Sequence, residues 1–382
     1  MKKTKEISIE LNEKTTLNSS KSKKEVNRNE ISFNIYYYIF IFFIIIIFFL
    51  IFIICYILYL LNLKFNTNNN IDQSYLYLNN NSGILDPYIK AQNDFCKNPN
   101  KYFKQNYEDN IFLSDVKVNE LKYKMYLFKS QNFILKEFKL YGSFEIKLSN
   151  NIIDALKFFS SKNNIKNNKD IYLLDIGGNI GWYPSLLGRY GYTILCFEPF
   201  EKNNYVLKKN YCLLNKDSNV VIITKGLGVE EKKCSYFNQL NNAGNGMVIC
   251  DKDKLNNTFL GKLFIKESEV EITTLNRFIP FLSDKKIALM KIDVEGHEHN
   301  VLEGGNYLIT NYHVPFVVLE FSPSYLKEAG SDPKNLAQFF VDNGYKISII
   351  GFLNKTYITV DELLSKAGFQ INCYFIHNST GL

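Results

Sequence analysis

An α/β fold on a mainly parallel sheet is what this chain of 382 residues predicts, and three observations predict it. From Ile171 onward, short apolar runs alternate with helix-like segments. The run Ile171–Leu174 ends in Asp175 and then in Gly177, Gly178 and Gly181. A second run, Thr193–Phe197, ends in Glu198, 23 residues after Asp175. That is the layout of the first β-α-β unit of a nucleotide-binding sheet, with right-handed crossovers and ligands at the carboxyl ends of the strands.

The charge of the turn narrows the ligand. Dinucleotides place a pyrophosphate here, where helix-terminal N–H groups favour an anion and a carboxylate repels one. S-adenosylmethionine has no phosphate and carries an ammonium and a sulfonium, which Asp175 attracts. Glu198 is placed to accept hydrogen bonds from ribose hydroxyls, with Pro199 beside it. The pattern therefore favours a methyl donor over a nicotinamide dinucleotide. A nicotinamide-dependent oxidoreductase and an inactive, tethered binding protein are the alternatives.

Taken from the amino terminus, residues 1–30 are polar and predict a disordered tail. Ile31 to Leu63 contains no charged residue. That exceeds the roughly 20 residues that span a bilayer and the 7–15 of a cleaved signal, so 31–63 predicts a retained transmembrane anchor. Lys21, Lys23, Lys24 and Arg28 precede it and only Lys64 closely follows. The positive-inside rule then puts the tail in the cytosol and the rest in a lumen, as in a single-pass Golgi or other secretory-pathway protein.

Residues 64–110 predict a stem, rich in asparagine, and 111–170 a small β-rich lead-in followed by a helix over Ile152–Phe159. Residues 171–382 form the main domain. Its strands fall at Ile171–Leu174, Thr193–Phe197, Val220–Thr224, Ala288–Ile292, Phe316–Leu319, Tyr345–Ile350 and Ile371–Ile376. Lys225–Lys266 reads as irregular, with a mobile loop at Asn241–Gly246.

Composition excludes little beyond nucleic acid. The net charge is +7, yet only Arg28, Arg189 and Arg277 of the 45 basic residues are arginine, so the guanidinium forks of a nucleic-acid surface are missing. Six cysteines follow the anchor: Cys96, Cys196, Cys212, Cys234, Cys250 and Cys373. An even number suits an oxidising compartment but leaves the pairing open, and Cys196, within a core strand, predicts a buried thiol.

A second dense segment runs Ala288-Leu-Met-Lys-Ile-Asp-Val-Glu-Gly-His-Glu-His299. Its strand delivers Asp293 to the edge where ligands bind. Three readings stay open. Asp293 or His297 is a general base for an acceptor hydroxyl. Asp293, Glu295 and a histidine hold a divalent metal. Or the acids cap a helix start, the reading favoured for Glu298.

Together Asp175-Ile-Gly-Gly-Asn-Ile-Gly181, Phe197-Glu-Pro199 with Asn203, Thr273-Thr-Leu-Asn-Arg-Phe278 and Lys291-Ile-Asp-Val-Glu-Gly-His-Glu298 with Val301-Leu-Glu-Gly304 resemble the FkbM family of methyltransferases. The likeness runs from about Tyr141 to Phe340, with Asn276 where the family commonly has aspartate. It implies a Rossmann-like class I methyltransferase sheet with helices on both faces, S-adenosylmethionine as donor, and O-methylation, often of sugars. The expected donor residues are Asp175, Gly177, Gly178, Asn179, Gly181, Glu198 and Pro199. Asp293 and His297 are the expected catalytic residues, no metal is assigned, and the expected partners are the membrane and a glycoconjugate acceptor.

Overall fold

The computed structural model describes residues 83–129, 132–214, 218–239, 242–250 and 264–382. The expected tail and transmembrane anchor lie outside these residues. Among the described residues, no helix is long and apolar enough to cross a membrane.

The principal elements run α1 (Asp86–Lys97), β1 (Ile111–Val118), β2 (Leu121–Phe128), α2 (Ile146–Lys162), β3 (Ile171–Ile176), α3 (Trp182–Arg189), β4 (Thr193–Phe197), α4 (Glu201–Cys212) and β5 (Val220–Ile223). They continue with β6 (Gly226–Leu227), β7 (Lys232–Gln239), β8 (Asn242–Ile249), β9 (Phe264–Thr273), β10 (Lys286–Ile292), α5 (Glu298–Glu303), β11 (Phe316–Phe321), α6 (Pro333–Asp342), β12 (Tyr345–Ser348) and β13 (Ile371–His377).

Seven strands form the central sheet in the order β12-β13-β11-β10-β3-β4-β5. β11, β10, β3, β4 and β5 pair in parallel, and β13 lies antiparallel between β11 and β12. Every residue of β3 and β4 is buried, as expected of parallel strands covered on both faces. Alternation divides them between two cores. Tyr172, Leu174 and Ile176 pack with α1, α5 and α6, while Ile171 and Leu173 pack with α2, α3 and α4. The prediction of a parallel sheet with helices on both faces therefore holds.

Dinucleotide-binding sheets run 3-2-1-4-5-6 and lack the antiparallel strand. Numbered within this sheet, the order here is 3-2-1-4-5-7-6. The last strand reverses and inserts before the sixth, which separates this architecture from the oxidoreductase alternative.

Two boundaries differ from expectation. The stem predicted over 64–110 is partly folded: Leu85, Ile89 and Phe95 are buried. From α1, Gln92 donates to the Val220 carbonyl and accepts from the Ile222 N–H, both at 2.8 Å. This amide satisfies the open edge of β5, so α1 belongs to the folded unit. The polar composition of the surrounding residues hid it.

The described part of the segment from Lys225 to Lys266 is mostly strand, since β6, β7, β8 and the start of β9 form a second sheet in the order β6-β9-β7-β8. Residues 242–246, expected in a mobile loop, lie in β8 and pair with β7. Cross-strand hydrogen bonds and the Cys234–Cys250 disulfide hold this sheet together, and neither leaves an apolar run to read. A second disulfide joins Cys96 to Cys212, and Cys196 and Cys373 are buried thiols.

Candidate active site

The β3–α3 turn starts the site. Gly177 has φ +86°, and a Cβ there would stand 1.8 Å from the Asp293 carbonyl oxygen. Glycine thus lets the first turn lie directly against the loop after β10. Gly177 and Gly178 both donate N–H groups to the Phe197 carbonyl at 3.0 Å, which ties the turn to β4.

At the end of β4 the buried Glu198 holds the other side of this turn. Its carboxylate accepts from the Asn179 N–H at 2.8 Å and the Phe200 N–H at 2.9 Å. Burial pushes its carboxyl up to about 7, against the pull of those two N–H groups. Asn179 and Asn203 each keep a buried side-chain oxygen without a hydrogen-bond partner, and both residues line the same cavity as Glu198. That cavity holds about 410 Å³, within the usual range for a small-molecule site.

The neighbouring strand β10 adds a cluster of opposite charges to the same cavity. The buried Lys291 ammonium is 3.0 Å from Asp293 Oδ2 and 3.9 Å from Asp175 Oδ1, and it sits 5.2 Å from the centre of the Tyr183 ring. Burial works against this ammonium, but Asp293, Asp175 and Glu145 outweigh it and hold it above the ordinary lysine range. Tyr183 donates to Glu145 Oε2 at 2.7 Å, and burial raises the Glu145 carboxyl to about 7 despite Lys291.

Ligand oxygens of Asp293, Glu295 and Glu320 lie within 4.8 Å of one another. Among the described residues this is the one group of three or more side chains placed to share a cation, and His297 is not in it. Burial raises Glu295 and Glu320, with Asp293 the next cause for both, so the cluster favours carrying protons.

Residues 175–347 match the model of the methyltransferase FkbM domain. Methyltransferase 1 of Beauveria bassiana (strain ARSEF 2860) is 32% identical over 148 residues, which are 35% of this chain and 58% of that protein. The chain therefore spans less than two thirds of that relative's length. Magnesium protoporphyrin IX methyltransferase (ChlM) from Synechocystis PCC 6803, solved with bound SAM, aligns at TM-score 0.33 and 12% identity over 78% of this chain and 99% of that one. The bifunctional kinase-methyltransferase WbdD aligns at TM-score 0.34 and 12% identity over 60% of this chain and 38% of that one.

Within the matched residues, Gly177, Gly178, Asn179, Glu198, Pro199, Asp293 and His297 all line the one cavity. Two expected donor residues do not. Asp175 is fully buried beneath the turn, against Lys291 and 3.6 Å from the Cys196 thiol, and burial raises its carboxyl to about 6. Gly181 faces α4, where a Cβ would stand 2.3 Å from a Leu207 methyl group, so its small size serves helix packing. Glu298 accepts from the Val294 and Gly296 N–H groups at 3.3 and 3.2 Å, so it pins the loop before α5 and makes no side-chain cap to the helix.

Glu145, Tyr183, Lys291, Glu320 and Gln370 also line the cavity and were not among the expected site residues. Lys291 carried a signal, being a charge that interrupts the buried apolar run Ile287–Ile292. Glu320 carried another: Asp175, Glu198, Asp293 and Glu320 each stand at or just past the carboxyl end of a parallel strand. Glu145 and Tyr183 come together only through the packing of α2 on α3, which no local pattern announces.

Proposed function

We propose that the chain is a membrane-anchored, S-adenosylmethionine-dependent O-methyltransferase acting on a sugar hydroxyl of a glycoconjugate, with its catalytic domain in the lumen of the Golgi or another secretory compartment. One observation carries the enzymatic part. A single cavity is lined by the Gly177–Asn179 turn, Glu198 and the Lys291–Asp293 pair.

The donor-side residues fit a nucleoside bearing positive charge. Glu198 retains acceptor capacity for ribose hydroxyls, and the unpartnered oxygens of Asn179 and Asn203 await N–H or O–H donors. Asp175 acts from beneath, contributing negative charge and holding Lys291. When bound, S-adenosylmethionine supplies an electrophilic methyl carbon, whose bond to sulfur breaks as an acceptor oxygen bonds to it.

Asp293 takes the hydroxyl proton at a carboxylate oxygen, while Lys291 fixes that carboxylate at 3.0 Å. His297, at the start of α5, faces the acceptor. The protein's main contribution is alignment, holding nucleophile and methyl carbon near 3 Å apart in line. Two disulfides support an oxidising compartment, and the uncharged run from Ile31 to Leu63 supports the anchor.

The test is radiolabelled methyl transfer from S-adenosylmethionine to a lumenal glycan extract, followed by mass spectrometry of glycans from cells with and without the gene. The reading expects labelled glycans and a loss of methyl groups without the gene. Label confined to protein or lipid would refute the acceptor.

A further inference from the structure

A second cavity, of about 630 Å³, adjoins the first and shares three of its walls: Glu145, Glu320 and Gln370. It extends past Ser143 and Asn372 to Tyr141, whose side chain is 66% exposed. We propose that this groove seats the acceptor as a neutral oligosaccharide, with the sugar to be methylated at the shared neck and a neighbouring sugar against the Tyr141 ring. The proposal rests on the methyltransferase reading above and names its acceptor side.

Position carries the first part of the argument. Neither Glu198 nor the Gly177–Asn179 turn borders this groove, whereas both neck carboxyls do. A ligand lying along it meets the first cavity at Glu145 and Glu320, the latter clustered with Asp293.

The neck is also built in advance. Tyr183 donates to Glu145 at 2.7 Å, Glu137 accepts from the Glu145 N–H at 2.9 Å, and Gln370 donates to Glu320. Both carboxyls thus keep their places without a ligand to order them.

Chemistry selects the occupant. Carboxyl, amide and hydroxyl side chains dominate the polar lining, and these are the partners of sugar hydroxyls. Glu137, Glu145 and Glu320 face a single lysine, Lys147, which disfavours phosphorylated or carboxylated acceptors. Tyr183 and Gln370 already hold Glu145 and Glu320 in place as hydrogen-bonding groups for a sugar's hydroxyls. The exposed Tyr141 ring gives the apolar C–H face of a sugar a surface to cover.

The experiment applies the full-length protein in detergent, saturated with S-adenosylhomocysteine, to an array of neutral high-mannose glycans, sialylated glycans and a lysine-rich peptide. Neutral glycans should bind best. Tyr141→Ala and Asn372→Ala should each weaken that binding about tenfold, the scale of one aromatic contact, while S-adenosylmethionine affinity stays within about twofold. Equal glycan binding by both variants, no binding of neutral glycans, or a preference for sialylated glycans or the peptide overturns the proposal. Glycan binding by the wild type without methyl transfer from S-adenosylmethionine instead refutes the proposed activity and leaves the groove standing.

Discussion

The Lys291 ammonium lies 3.0 Å from the Asp293 carboxylate, and the two residues are two positions apart, so strand alternation sets both on one face. The same ammonium reaches Asp175 at 3.9 Å on the neighbouring strand. One buried cation therefore joins the donor turn of β3 to the acceptor loop after β10. Replacing it (Lys291→Met) leaves a fully buried carboxylate without its counter-charge, a change that costs about 3–5 kcal/mol. Urea denaturation should show that loss, and adding Asp175→Asn should recover part of it. A Lys291→Met protein as stable as the wild type would show that the pair is incidental.

Asp293 and His297 divide on turnover. Asp293→Asn removes the proton acceptor and should lower kcat by roughly 10²–10⁴, the usual contribution of a general base. Donor affinity, measured by calorimetry, should change little. His297→Ala should also lower turnover while sparing donor binding; full activity would remove His297 from the mechanism and leave Asp293 as the base.

The buried carboxyls set a pH dependence of stability. Burial raises Glu198, Glu145 and Glu298 to about 7 and Asp175 to about 6, above their unfolded values of 4.5 and 3.8. The folded state then binds more protons than the unfolded state between those limits, so stability contributed by these groups falls as pH rises from about 4 to 7. Thermal unfolding of the ligand-free protein should show Tm decreasing across this window, with a shallower slope for Glu198→Gln. A Tm rising steadily to pH 7 would contradict the assignment.

The Cys96–Cys212 disulfide ties α1 to α4 across 116 residues of chain. Closing so long a loop removes unfolded-state entropy worth roughly 2–5 kcal/mol. Cys96→Ala with Cys212→Ala should lower stability on that scale in denaturant titration. Equal stability would mean that the packing of Leu85, Ile89 and Phe95 alone holds α1.

What the sequence revealed was the part encoded in continuous runs. β3, β4, β10 and β11 are buried on both faces, so their stretches are apolar, Lys291 of β10 excepted, and each runs to an acid. From that came the sheet, the glycine turn, and Glu198 and Asp293 as residues of one cavity. The second sheet escaped because β7 and β8 rely on polar cross-strand pairing and a disulfide. Asp175 was legible as a site acid but not its depth, since burial depends on how Lys291 on the next strand folds over it. Glu145, placed by the packing of one helix on another, had no local signature.

The central claim is that the turn at Gly177 and the carboxylate of Glu198 hold the methyl donor. Calorimetric titration of the wild type and of Glu198→Ala with S-adenosylmethionine tests it most directly. The account predicts saturable one-to-one binding by the wild type and at least about a tenfold loss in the variant, since one charge-assisted hydrogen bond is worth about 1.5–3 kcal/mol. Equal affinity in the two proteins would contradict it.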